Sequence, residues 1–331
     1  MTRHSIAIAY LSIGILNIVE LAGDPYSPDG LLMNLTTLIL ASIQAFLLTV
    51  TLISLINQSY YTIKKILMEL IPVSVCIIVS YLLYLFDQKT VLTSWMYIYS
   101  GFFLLQIVRY FLLFKKEYHL AKNKVDNYFS EEEKTNRLKW TAHAIVGILF
   151  IALLTLLCLI FPNTLIVSFN IVCIIFYFYF GINYLNFWYW YEMIDTAINY
   201  RGEKVQPEEL PHSLAWVQMD EAIVNWESSK QFTEPGLTIE QVAIQLKTNR
   251  TYLSSYVNTY KKQTFKEWIN LLRMDEAKRL MLENPTIPVS QVGAMVGVPD
   301  KSNFGRLFSR TFGSSPQSWR DNTGHGYLTV N

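Results

Sequence analysis

Lys301, Ser302, Asn303, Arg306 and Arg310 fall within one short stretch of the chain. On a helix they share a side opposite Phe304, Leu307, Phe308 and Phe312. All five are hydrogen-bond donors and three are cations. Donors of this kind, held on a short rigid rod, can meet phosphate oxygens and the acceptor edges of bases. A rod carrying them suits a DNA major groove, as in a helix-turn-helix unit. Catalytic chemistry finds no comparable pattern. The chain has no HExxH, no G-x-S-x-G and no Walker loop, and its five histidines are scattered. Cys76, Cys158 and Cys173 lie in apolar runs without CxxC pairing, as small hydrophobes of a packed interior. The expectation is no enzyme, no cofactor and no metal.

The donors need elements to hold them. From Pro288, the residues Val289, Val292, Met295 and Val296 repeat at helical spacing as one apolar face. Gly297 can take the positive φ that ends a helix, and Asp300 supplies the N-cap of the next. Upstream, Thr238 caps a helix with Val242, Ala243 and Leu246 inward, and Lys247–Asn249 make a turn. Arg250 to Thr259 then form a second helix on Leu253, Tyr256 and Val257. A longer helix follows, with Phe265, Trp268, Ile269, Leu272 and Leu280 inward, ending before Asn284-Pro285. Before the first pair, His212 to Ser229 shows helical periodicity through Leu214, Val217, Ile223, Val224 and Trp226.

This order resembles the DNA-binding domain of the AraC/XylS transcriptional regulators, over roughly Leu214 to Arg320. The resemblance is carried by Gly297, Asp300, Phe304, Arg306, Phe308, Phe312-Gly313, Pro316 and Trp319-Arg320. The connecting-helix pattern Ile269-Asn270, Arg273 and Glu276-Ala277 adds to it. It implies two helix-turn-helix units, about 238–259 and 289–312. It also implies that Arg250, Thr251, Ser254 and Ser255 face one groove segment. Lys301, Ser302, Asn303 and Arg306 would face the next, with Arg310 on the backbone. Between Lys247 and Arg320, Lys and Arg outnumber Asp and Glu by 12 to 5, which suits phosphates. Two positions depart from the family pattern: Val298 replaces an aromatic and Gly293 replaces a packing alanine. Both are expected to soften this half. The family's usual soluble effector module is missing, so no effector is carried over.

The rest of the chain is of another kind. Of 331 residues, 52% are hydrophobic and only 16% charged, with a net charge of +1. Charges are sparse up to about residue 190 and ordinary beyond it. Six stretches are apolar and long enough to cross a bilayer: Ser5–Ala22, Leu31–Ile56, Leu67–Phe86, Trp95–Phe114, Thr141–Phe161 and Leu165–Trp188. Lys and Arg crowd the loop after the fourth and are missing after the first and fifth, which puts both termini in the cytoplasm. Polar residues in the spans sit at their ends or suit inter-helix bonding. Glu69 is placed to pair with Lys65, and Arg109 to snorkel towards Lys115–Lys116. The aromatic run Phe176–Tyr191 ends in an interfacial belt. In the large inner loop, Ser130 and Glu133 have the form of a capping box. That loop is a candidate contact for the DNA-binding part or for a second subunit.

The fold expected is all-α: a six-helix transmembrane bundle followed by a cytoplasmic AraC-type double helix-turn-helix domain. Its parts are a membrane domain over 1–191, a linker over 192–211 and a DNA-binding domain over 212–331. The function expected is a membrane-anchored, sequence-specific transcriptional regulator, a one-component sensor if the bundle controls the DNA-binding part. The alternative is a membrane receptor or transporter with a cytosolic helical regulatory domain. Its partners would be double-stranded DNA and the lipid bilayer, with a homodimer left open and the effector unknown. The compartment would be the bacterial inner membrane.

Overall fold

The computed structural model describes residues 6–11, 14, 30–86, 89–199 and 212–326. Among them every regular element is a helix, joined by one isolated antiparallel bridge, Phe129 to Thr238. The chain divides into two compact units. One comprises Met1–Ala121 and Leu138–Asn199; the other comprises Lys122–Arg137 and Tyr200–Asn331.

In the first unit, Gly30–Ile56 is the central helix, packed against Ile63–Leu85, Lys139–Ile160 and Pro162–Asn199. Its most apolar window is 72% buried, against 17% for Ile63–Leu85. Small polar residues line its buried side, among them Ser42, Thr49 and Ser54. Such small side chains let helix backbones approach closely. Gln106 donates to the Ser42 carbonyl at 3.2 Å, and the Trp95 indole to Ser80 at 2.9 Å. The outer faces are apolar: Leu67, Ile71, Leu105, Phe178 and Leu185 are all exposed. Five helical stretches among the described residues are long and apolar enough to cross a membrane: Asn34–Ile56, Ile63–Leu85, Thr90–Asp126, Glu132–Ile160 and Val167–Trp188. The span expected at Ser5–Ala22 lies largely outside the described residues, of which 6–11 and 14 are helical.

One local pairing changes here. Glu69 pairs with Arg109 rather than with Lys65, because helix packing brings a cation from another helix closer. Lys65 instead lies 3.8 Å over the Tyr60 ring. In the aromatic run from Phe176, Tyr177, Phe180, Tyr184 and Phe187 are buried, Phe178 is exposed, and Trp188, Trp190 and Tyr191 are half-buried; Trp140 meets both Phe180 and Phe187 at 5.7 Å. The last helix continues to Asn199.

The second unit holds Lys122–Arg137 and the helices His212–Ser228, Ile239–Gln245, Arg250–Thr259, Phe265–Glu283, Val289–Met295, Lys301–Phe312 and Pro316–Gly326. Phe265–Glu283 is its axis, burying Phe265, Trp268, Ile269, Arg273, Met274 and Ala277. Both faces of a short helix cannot be core, and the structure chooses. Val217 and Val224 are exposed while Met219, Ile223 and Trp226 are buried; Met295 is 46% exposed. Ser130 is no N-cap. Glu131 holds that position before the helix Glu132–Asn136, and the Ser130 hydroxyl donates to the Leu237 carbonyl at 2.9 Å.

Candidate nucleic-acid interface

Three of the four helices in the two pairs are started by their own side-chain cap. Thr238 and Gln241 form a capping box on Ile239–Gln245. The Asn249 carboxamide oxygen accepts from the Tyr252 main-chain N–H at 2.8 Å, which starts Arg250–Thr259. Asp300 accepts from the Asn303 main-chain N–H at 2.6 Å, which starts Lys301–Phe312. Each cap satisfies a main-chain donor that the first helical turn leaves open.

The turn between the second pair of helices is tight. Gly297 has φ +79°, and a Cβ added to it would lie 2.3 Å from the Thr233 carbonyl oxygen. The departure at Gly293 has a physical reason. A Cβ there would lie 2.9 Å from the Val298 carbonyl oxygen and 3.0 Å from the Phe304 ring. The smaller Val298 is buried beside Val292, Val296, Phe304 and Phe308, so the turn closes directly onto the helix.

Arg273 fixes the connecting helix to what precedes the first pair. Its Nε donates to the Phe232 carbonyl at 2.8 Å and its Nη2 to that of Glu234 at 2.6 Å. Burial pushes its guanidinium down to about 10, which leaves it charged at neutral pH. Tyr256 is held above the ordinary phenol range by burial and then by its hydrogen bond to Asp220. Lys261 and the Trp268 indole share Glu227 at 3.0 and 2.9 Å.

The donor face lies outward. Lys301, Ser302, Arg306 and Arg310 are exposed and Asn303 is half-buried. Lys301, Ser302 and Arg306 surround an open concavity of about 800 Å³, with Ser309 and Ser315. These two serines were not expected. Ser309 follows Ser302 and Arg306 at helical spacing and was legible; Ser315 lies past the Gly313 turn and was not. On the first reading helix, Thr251 and Ser255 are exposed, while Arg250 and Ser254 are half-buried. Ser254 is engaged locally, its carbonyl and hydroxyl both accepting from Asn258. Arg320 is architectural: its Nη1 donates to the Ile287 carbonyl at 2.7 Å.

Lys266 escaped the sequence reading. Although charged, it is buried, and its ammonium reaches Asp126 and Thr135. No local signal marks it, since a lysine in a first helical turn reads as solvated.

The family described as "Helix-turn-helix domain" matches residues 230–322. The Msm operon regulatory protein of Streptococcus mutans serotype c is 31% identical over 85 residues. The alignment covers 26% of this chain and 30% of that protein. The raffinose operon transcriptional regulatory protein RafR of Pediococcus pentosaceus is 28% identical over 122 residues, covering 34% of this chain and 43% of that one. The chain thus spans less than half the length of either relative. No solved structure matches. Residues 230–322 are an AraC-type DNA-binding domain, and the relatives are regulators rather than enzymes.

Proposed function

We propose that this chain is a membrane-anchored, sequence-specific transcriptional regulator. The carrying observation is the coexistence, in one polypeptide, of an AraC-type domain and five helical stretches apolar enough to cross a bilayer. Exposed apolar outer faces support the lipid environment, since a soluble protein rarely exposes so many large hydrophobics. In this reading the apolar helices within residues 1–191 anchor the chain in a bacterial inner membrane with both termini cytoplasmic. Residues 192–211 link, and 212–331 bind double-stranded DNA. Arg250, Thr251, Ser254 and Ser255 face one groove segment, and Lys301, Ser302, Asn303 and Arg306 the next. Arg310 contacts backbone phosphate. The membrane helices act as a sensor for the DNA-binding part, and two copies pair on DNA.

Genome-wide occupancy of the full-length protein in its membrane tests this reading, with Arg306→Ala as the comparison. Discrete promoter sites that weaken or relax in the variant are expected. Occupancy without discrete sites, unchanged by the substitution, overturns it.

A further inference from the structure

Lys122–Arg137 joins two of the apolar helices, yet it folds as part of the same unit as the AraC-type domain. A solvated connection would expose its side chains. Here Val125, Tyr128, Phe129, Ser130 and Thr135 are all buried. Main-chain bonds hold it: Ser130 N–H donates to the Leu237 carbonyl at 3.0 Å, and Ile239 N–H to the Tyr128 carbonyl at 2.9 Å. A buried ion pair between Asp126 and Lys266, which Thr135 completes from both sides, closes its other end.

Two of its side chains reach one cation on each reading helix. The Arg250 guanidinium lies 4.4 Å over the Tyr128 ring, whose hydroxyl donates to Glu240 at 2.9 Å. Glu132 stands 4.0 Å from Arg310. A guanidinium stacked on an aromatic ring is held against its π face in one pose, and turning it towards a phosphate or base edge elsewhere gives that contact up. A carboxylate at that distance offers Arg310 a negative charge that competes with a phosphate's.

We propose that Lys122–Arg137 is an intramolecular clamp that competes with DNA for Arg250 and Arg310. This rests on the DNA-binding reading above. The charge balance fits: Glu131–Glu133 is an acidic run, and the domain from Lys247 to Arg320 carries 12 cations against 5 acids. The clamp is also tied by its own chain to Lys89–Asp126 at one end and Lys139–Ile160 at the other. A change in those helices pulls on the segment directly, so a signal in the bundle would free or fasten two DNA contacts without a separate messenger. A ligand shifts such an equilibrium only by its different affinity for the two states.

The test uses the full chain in lipid nanodiscs and a fluorescent duplex of randomised sequence, at fixed salt. Tyr128→Ala with Glu132→Gln should bind about tenfold tighter than wild type, as release of a competitor worth about 1.4 kcal/mol predicts. Should the release variant misfold, a locked form gives the reciprocal test. Phe129 and Thr238 are a non-hydrogen-bonded antiparallel pair, which brings Cα atoms to about 4.5 Å, within reach of a disulfide. The double substitution Phe129→Cys with Thr238→Cys should bind about tenfold more weakly oxidised than reduced. Equal affinity of wild type and release variant, with no redox effect in the locked form, overturns the clamp. If Arg306→Ala binds as wild type does and neither clamp variant alters binding, the DNA-binding reading fails as well.

Discussion

The guanidinium Nε of Arg273 and the main-chain carbonyl of Phe232 are joined by a 2.8 Å hydrogen bond. A second bond from the same side chain holds Glu234. Between them, the Thr233 carbonyl lies against Gly297, the turn of the second helix-turn-helix. One buried side chain therefore ties the connecting helix to the entry of the first pair, beside the turn of the second. Two short helical units that would otherwise have little core of their own gain a fixed mutual geometry.

Replacing Arg273 with methionine keeps much of the volume and removes both donors. Two buried carbonyls lose their partners, and the expected loss of stability is about 3 kcal/mol, tempered because no charge is then buried. Hydrogen exchange across 230–322 in the full chain would register it as faster exchange in both helix-turn-helix units. Faster exchange in one unit alone would show that Arg273 does not couple them.

Gly297 and Gly313 both have positive φ, but their surroundings differ. A Cβ at Gly313 meets nothing within 4 Å, while one at Gly297 meets main chain at 2.3 Å. Gly313→Ala should therefore cost about 1 kcal/mol, the left-handed strain alone. Gly297→Ala should cost about 3 kcal/mol, because the Thr233 backbone must also move. Denaturation of the two variants side by side checks the order.

Hydrogen bonds from Arg279, and after it Lys230, hold the Glu276 carboxyl below its ordinary 4.5, against the opposing effect of burial. A carboxyl depressed in the folded state binds fewer protons there than in the unfolded chain. Its contribution is complete above about 4.5 and is lost as pH falls through the lowered folded value. The stability gap between wild type and Glu276→Gln should be present at neutral pH and close on acidification. A gap independent of pH would sever the link to the Lys230 and Arg279 bonds.

On the donor face, Arg306 and Lys301 should behave differently. Arg306→Ala should cost about 1–3 kcal/mol at preferred sequences and relax the preference there. Lys301→Ala should weaken all sequences alike and lower the salt dependence of binding by about one ion. Binding isotherms over a salt series, on preferred and scrambled duplexes, separate the two effects.

Much of the second unit was legible because its signals are local. Thr238 and Asp300 announce helix starts, since each cap bonds to a main-chain N–H three residues away. Phe304, Leu307 and Phe308 leave Lys301, Ser302 and Arg306 on the opposite side through helical period alone. Periodicity was weaker guidance where short helices carry apolar residues on two faces, as Met295 and Val224 show. Ser130 and Glu133 satisfy a capping-box pattern that an outside partner, the Leu237 carbonyl, overrides.

The sequence by itself determined the all-helical class, the apolar character of the first half, the AraC-type domain and the outward donors of its second reading helix. The AraC-type domain was legible through resemblance to a known family; the others follow from composition or from residues a turn or two apart. Tertiary structure alone decided that Lys122–Arg137 lies on the AraC-type domain, that Lys266 finds Asp126, and that Arg250 meets Tyr128. Those partners are separated by more than a hundred residues of chain. Helical period and capping rules act over a few residues, so the pairing of distant charges and rings emerges only when the packed helices bring them together.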